Sequence, residues 1–235
     1  MCGRFALDDK VNASITDFVV GTGRSHNEWT PDWANRWNIK PTQQIAVILD
    51  SAKTEQLRVE SAHWSLVPPW SDSLKTKFPT FNARTEGITS KATWKSPLKS
   101  RRCIIPASGY YEWTGEKGSK TPWWIHPESG ILGFAGLYAW WQDKSVTDDD
   151  PAKWTLTATM LTMPTVDHLA SIHDRNPVAL PATFWEQWMD PSITGGQDLV
   201  DEAVNASRGE MTALDYHRVM PFKATDDGPQ MTVPT

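Results

Sequence analysis

The chain has 235 residues, a formal net charge of −5 at pH 7, 39% hydrophobic and 22% charged residues. This excludes a disordered chain and leaves room for one large domain or two small ones, each able to bury a core. No apolar run approaches the roughly 18 residues of a membrane span, two cysteines make no disulfide framework, and an acidic total argues against nucleic acid unless positive charge gathers locally.

Asp8, Asp9 and Lys10 interrupt the N-terminus before any signal-type apolar region. A reduced, cytoplasmic setting is expected, nucleoid-associated if the source is bacterial. Residues 8–20 place Ile15, Phe18 and Val19 at helical spacing. Strands are expected in "QQIAVILD" (43–50), "LRVESAHWSLV" (57–67), "RCIIPASGYYEW" (102–113), "PWWIHP" (122–127), "ILGFAGLYAWW" (131–141) and "WTLTATMLTM" (154–163). Each is short, rich in β-branched and aromatic residues, and bounded by Pro, Gly or polar turns. Residues 142–152 read as an exposed loop. "PTVDHLASI" (164–172) and "PATFWEQWM" (181–189) open on Pro, which suits a first helical turn. With no βαβ alternation, the chain reads as a single α+β domain over residues 1–235, built on mainly antiparallel sheet.

Charge is unevenly spread. Residues 87–111 contain no Asp or Glu but hold Lys91, Lys95, Lys99, Arg101 and Arg102, and Lys75, Lys77 and Arg84 lie just upstream. Such a stretch can form a phosphate-binding face on an acidic protein, or be a basic loop in solvent. The fourteen tryptophans can pack a core or offer stacking platforms for unpaired bases.

Four stretches could carry chemistry. Cys2 follows the initiator methionine; once Met1 is removed it would carry an α-amine and a thiol on adjacent carbons, both partly deprotonated near neutrality. Such a 1,2-aminothiol condenses with an aldehyde and closes a thiazolidine ring. It could instead attack an amide, or be a small buried residue. In "FNARTE" (81–86) an extended backbone puts Asn82 and Arg84 on one face, an amide beside a fork for phosphate; a helix cap and a surface charge are the alternative. In "PASGYYEW" (106–113) Tyr110 and Glu112 share a face. A carboxylate among aromatics is desolvated and suited to general-acid work, unless it faces water at an edge. "SIHDRNP" (171–177) offers His173 as a proton carrier, with Asp174 and Arg175 close enough to orient it or bind phosphate. No Cys or His pairs stand at zinc spacing, so no metal is expected, and no cofactor.

In order, Cys2-Gly-Arg-Phe, "FNARTE", "RRCIIPASGYYEW" and "IHDRNP", joined by "NIKPTQQIAVI" (38–48) and "HWSLVPPW" (63–70), make the chain resemble the SRAP family, the SOS response-associated peptidase or abasic-site-processing proteins. The resemblance implies one domain with a barrel-like, mainly antiparallel sheet, a few peripheral helices and a positive cleft for single-stranded DNA. It implies removal of Met1 and a covalent crosslink from Cys2 to abasic sites. Carried over by position, Cys2 is the nucleophile, Asn82 holds the terminal residue and the linked sugar, Glu112 assists sugar opening and proton transfer, and His173 helps form and resolve the imine. Arg4 and Arg84, joined by Arg175, would bind phosphates; Pro41 and Trp64 would separate or stack bases. Asn176 replaces the usual Met, and Ser65 the usual Gly, of the family pattern. The expected partner is single-stranded DNA with abasic sites, engaged by a monomer away from membranes. Two alternatives remain open: a cysteine-dependent peptidase, acting in trans or on the Met1–Cys2 bond alone, and a non-catalytic reader of modified or single-stranded DNA.

Overall fold

The alternating and continuous apolar runs become strands, and the computed structural model, which describes residues 2–29, 35–116 and 118–235, joins them in two sheets. In chain order these are β1 (Phe5–Leu7), β2 (Arg36–Ile39), β3 (Gln44–Ser51), β4 (Gln56–Trp64), β5 (Asn82–Arg84), β6 (Arg102–Ala107), β7 (Gly109–Thr114), β8 (Thr121–His126), β9 (Leu132–Gln142), β10 (Trp154–Pro164), β11 (Arg175–Pro177) and β12 (Asp215–Arg218). Among the described residues four helices flank them: α1 (Asp9–Gly21), α2 (Ala92–Ser100), α3 (Ala182–Met189) and α4 (Gln197–Thr212).

Five strands close into a barrel. β10 pairs with β4, β4 with β3, β3 with β6, β6 with β9, and β9 returns to β10. Only β10–β4 in this ring is parallel. Closure removes the free edges that an open sheet would expose. The second sheet runs β12–β8–β7–β1–β2. The α+β, mainly antiparallel, barrel-like architecture expected from the sequence is the one observed.

The stretch read as one strand at 102–113 crosses between the sheets at Ser108. Its first half, β6, belongs to the barrel, and its second, β7, pairs with β1 and β8. Gly109 permits the crossing: a Cβ there would lie 2.5 Å from the Trp124 ring and 2.7 Å from the Ile125 carbonyl. Because β7 pairs with β1, the chain's first residues are held against the strand that carries Glu112.

α1 forms as expected. Asp8 caps it by accepting from the Lys10 amide, and Val11, Ile15 and Val19 form the buried stripe. Residues 164–172 do not form the expected helix. Pro164 is still in β10, opposite Arg175, and only the single 3₁₀ turn Asp167–Leu169 follows. α2 and α4 were not anticipated. Pro97 inside α2 conceals it. In α4 the buried set Leu199, Val200, Ala203, Ser207 and Met211 has helical spacing, but two of its members are too small to stand out as apolar.

Arg102 is withdrawn from the basic face suggested by the sequence. It is fully buried, and its guanidinium donates to the carbonyls of Leu98, Lys99, Trp188, Asp190 and Ile193. Leu98 and Lys99 stand in the last turn of α2, and Trp188 and Asp190 at the end of α3, so the cation serves two helix C-termini at once.

Candidate functional site at Cys2

Residues 2–4 lead into β1 and lie between β5 and β7. Cys2 is fully buried. Its carbonyl accepts from the Asn82 Nδ2 at 2.7 Å, and its Sγ lies 3.8 Å from the Arg4 carbonyl. β5 is only three residues long, held by parallel pairing to β10 with Asn82 opposite Met160. That pairing fixes the amide on the N-terminal segment. Asn82 Oδ1 is buried without a partner among the described residues, so the side chain keeps an acceptor in reserve. Met1 lies outside the described residues.

Glu112, on β7, is 5% exposed. Burial pushes its carboxyl up from 4.5 to about 7, Asp174 adds to the rise, and Lys120 opposes it. The acid is therefore balanced between its two forms near neutrality. Burial also pushes the Cys2 thiol well above its ordinary value, and the Glu112 carboxylate pushes the same way. His173 Nε2 stands 3.9 Å from Glu112 Oε2. Its Nδ1 faces the Arg175 amide at 3.0 Å and Asp174 Oδ1 at 2.8 Å, leaving Nε2 as the nitrogen turned toward the carboxyl. Burial lowers the His173 pKa. Tyr110, which sequence reading left without a role, has its hydroxyl fully buried without a partner among the described residues. Its pKa is raised well above 10.0 by burial and by Cys2 and Glu112, so it belongs to the same enclosure. The period-two alternation that put it on Glu112's face was the available signal.

Two grooves flank this centre. One, of about 760 Å³, is lined by Asn82, Arg84, Lys77, Lys91, Trp70 and Phe78 among others. Arg84 is exposed, Trp70 and Phe78 are 57% and 69% exposed, and the Lys77 ammonium sits 5.7 Å from the Phe78 ring centre. The other, of about 400 Å³, is lined by Gly3, Arg4, Trp113, Lys120 and Phe222. Arg4 donates to Asn38 Oδ1 at 2.6 Å and lies over Trp113, and Asn38 in turn donates to the carbonyls of Lys223 and Asp226. Half-buried Pro41 lines a third, smaller groove with Thr42, Ser65 and Phe78.

Two sequence expectations are corrected. Trp64 has no exposed surface to offer a base. It packs edge-on against Phe5 at 4.9 Å and Phe81 at 5.8 Å, and its Nε1 donates to the Phe81 carbonyl. In the segment that follows β4 the exposed aromatics are Trp70 and Phe78, and nothing in local pattern separates a core tryptophan from a surface one. Arg175 is turned inward rather than toward an open groove. Its guanidinium donates to both Glu86 oxygens at 2.8 Å and to the Thr162 carbonyl at 2.7 Å. Glu86, quoted within "FNARTE" but given no role, is held down to about 2 by those bonds. The pair ties the turn after β5 to the segment bearing His173.

The two departures from the family pattern are both satisfied locally. Ser65 is buried and shares a 2.8 Å hydrogen bond with Thr80, pinning the base of the loop that carries Trp70 and Phe78. Buried Asn176 meets the Thr165 hydroxyl at 2.9 Å.

The model of the family described as SOS response associated peptidase (SRAP) matches residues 1–221. The chain is 34% identical to Abasic site processing protein YoaM of Bacillus subtilis, over 83% of this chain and 81% of the relative. It is 27% identical to Abasic site processing protein HMCES of Gallus gallus, over 81% of this chain and 66% of the relative. A crystal structure of a protein from Bacteroides thetaiotaomicron superimposes with a TM-score of 0.75 at 20% identity, covering the whole of both chains, a likeness of fold. A family match across nearly the whole length, together with a relative above 30% identity over four fifths of the chain, means that this chain belongs to the SRAP family.

Proposed function

We propose that the protein processes abasic sites by binding single-stranded DNA and linking Cys2 covalently to the lesion after Met1 is removed. The observation that carries this reading is the hydrogen bond from Asn82 to the Cys2 carbonyl, which holds the first residues beside Glu112 and between two grooves that each carry an arginine. The relatives named as abasic site processing proteins give the class of lesion.

The ring-opened abasic sugar is an aldehyde. The Cys2 amine adds to its carbon, giving a carbinolamine. Loss of water, with a proton supplied to the departing hydroxyl, gives an imine. The thiol sulfur then adds to the imine carbon while a proton reaches the nitrogen, and the thiazolidine closes. Overall one C–N and one C–S bond form and one water leaves. The Cys2 thiol enters un-ionised, so a base must take its proton as sulfur attacks. Glu112, balanced near pH 7, is able to give a proton in the dehydration and accept one in the ring closure. His173, 3.9 Å away, relays protons between that carboxyl and water. Arg84 and Arg4 hold phosphates on either side, and Trp70 and Phe78 supply stacking faces for flanking bases. With no base at the lesion, the N-terminal segment occupies the space that a base would fill.

The test is direct. Purified protein mixed with single-stranded DNA bearing one abasic site gives a heat-stable adduct on a denaturing gel. Its absence, with the N-terminus verified as Cys2 by intact mass, rejects the covalent reading. Turnover of peptides in trans would point to the peptidase instead.

A further inference from the structure

Lys95 and Lys99 lie one turn apart on α2, Lys91 is the extended residue that caps its start, and all three are exposed. A step of four residues rises about 6 Å along a helix axis, so Lys95 and Lys99 form a ridge on one face with Lys91 at the helix start. The buried face is Trp94, Pro97 and Leu98. At its start the helix borders the Arg84 groove, since Lys91, Thr93 and Trp94 line it. At its end Ser100 and Arg101 line a separate groove of about 680 Å³.

That second groove is built from Lys53, Arg58, Arg101, Tyr138, Trp140 and Trp154, among others. Trp140 is 44% and Trp154 52% exposed. Trp140 lies opposite Leu156 and Trp154 opposite Gln142 in the β9–β10 pair. Partners in register share a face, so the two indoles are diagonal neighbours on one side of the barrel wall. Glu60 is the carboxylate among the groove's lining residues, and it accepts from Arg58; Asp50, next to lining residue Ser51, is paired with Arg24 at 2.8 Å. Lys53 and Arg101 therefore leave the groove net positive. Two open indole faces beside uncompensated cations are the composition of a site for unpaired bases and their phosphates, not of a site for an apolar protein face.

We infer that this groove is a second single-stranded DNA site, separate from the lesion site, taking an unpaired nucleobase on Trp140 and Trp154 while the α2 lysine ridge carries the phosphates between the two grooves. The inference rests on the single-strand reading given under Proposed function. The ridge gives continuity from the Arg84 groove, and charge complementarity selects the occupant.

The experiment measures affinity for unmodified oligothymidylates of about 5 and about 15 nucleotides, a range that spans known single-strand site sizes. It also measures the adduct rate on a short abasic strand. Wild type should bind the long strand at least tenfold more tightly than the short one. The double variant Trp140→Ala, Trp154→Ala should lose most of that gain and leave short-strand affinity and short-strand adduct rate unchanged. Lys95→Glu with Lys99→Glu should do the same through charge, with a smaller salt dependence for the long strand only; these exposed lysines test the ridge should the indole variant prove unstable. An unchanged length dependence in both double variants overturns the second site. Failure of the wild type to form an adduct on the short strand would instead overturn the covalent function, whereas length-dependent binding could still be read on its own.

Discussion

Asn82 Nδ2 donates to the Cys2 carbonyl over 2.7 Å, joining residues eighty apart in the chain. The bond fixes where an N-terminal amine would emerge. Asn82→Ala should slow adduct formation by about 10–100-fold, as expected when a reacting group loses its orientation. Stability should change by only about 1 kcal/mol. The readout is single-turnover adduct kinetics beside thermal melting. An unchanged rate would mean that the bond is only structural.

The adjacency of amine and thiol gives a second prediction. Cys2→Ala should bind intact and abasic strands but yield no heat-stable adduct; a reducible imine through its own amine remains available. One alanine inserted between Met1 and Cys2 keeps the thiol and moves it off the terminus, so the stable adduct should disappear. Cys103→Ala should crosslink normally, since Cys103 is buried in β6, apart from any terminus. A wild-type adduct rate in the insertion variant would sink the mechanism. Denaturing gels and intact mass measure all three.

Glu112 provides the pH signature. Its folded value of about 7 lies above its ordinary 4.5, so the fold binds the proton more tightly than the unfolded chain does. This contribution to stability is complete below pH 4.5 and is lost as pH rises through about 7. On the order of 3 kcal/mol follows from the shift. Glu112→Gln, which keeps the neutral shape, should remove that loss and melt higher than wild type at pH 8. Its adduct rate should fall about 10–10³-fold, and the limb of the pH–rate profile near 7 should flatten. Melting curves at pH 5 and 8 and rates across that range decide it.

The Glu86–Arg175 pair has the opposite sign. Arg175 holds the Glu86 carboxyl down to about 2, so its contribution is present above pH 4.5 and is lost as pH falls toward 2. Glu86→Gln should reduce acid sensitivity in that window. It should also slow the adduct less than His173→Ala does, because Glu86 acts only by holding the His173 segment. Urea melts at pH 3 and pH 6 compare the two proteins. Equal acid sensitivity in wild type and variant would remove this role.

Arg84 is exposed in the larger groove. Affinity for single strands should fall with salt at a log–log slope of about −0.7 per phosphate neutralised. Arg84→Ala should make that slope shallower by about one such unit and weaken intact and abasic strands alike. Arg175→Ala should leave the slope nearly unchanged, since its guanidinium already faces Glu86 and Thr162.

Residue order and pattern by themselves determined the class of fold, six strand regions, α1, α3 and the four chemical stretches, because each rests on neighbours in the chain: alternation, turn residues and an N-terminal cysteine. Non-local pairing decided the rest. Barrel closure needs β9 to return to β10, and whether Trp64 or Trp70 meets solvent depends on which side of that barrel each reaches. Arg102 and Arg175 look like surface charges in sequence, yet one is buried on helix-end carbonyls and the other on Glu86. A cation's role depends on which carbonyls and carboxylates the fold brings within about 3 Å. Glu112 could be suspected of an unusual acidity from its aromatic neighbours, but the burial that raises it comes from packing β7 against β1, and that contact exists only once the chain's first residues have been folded back beside it.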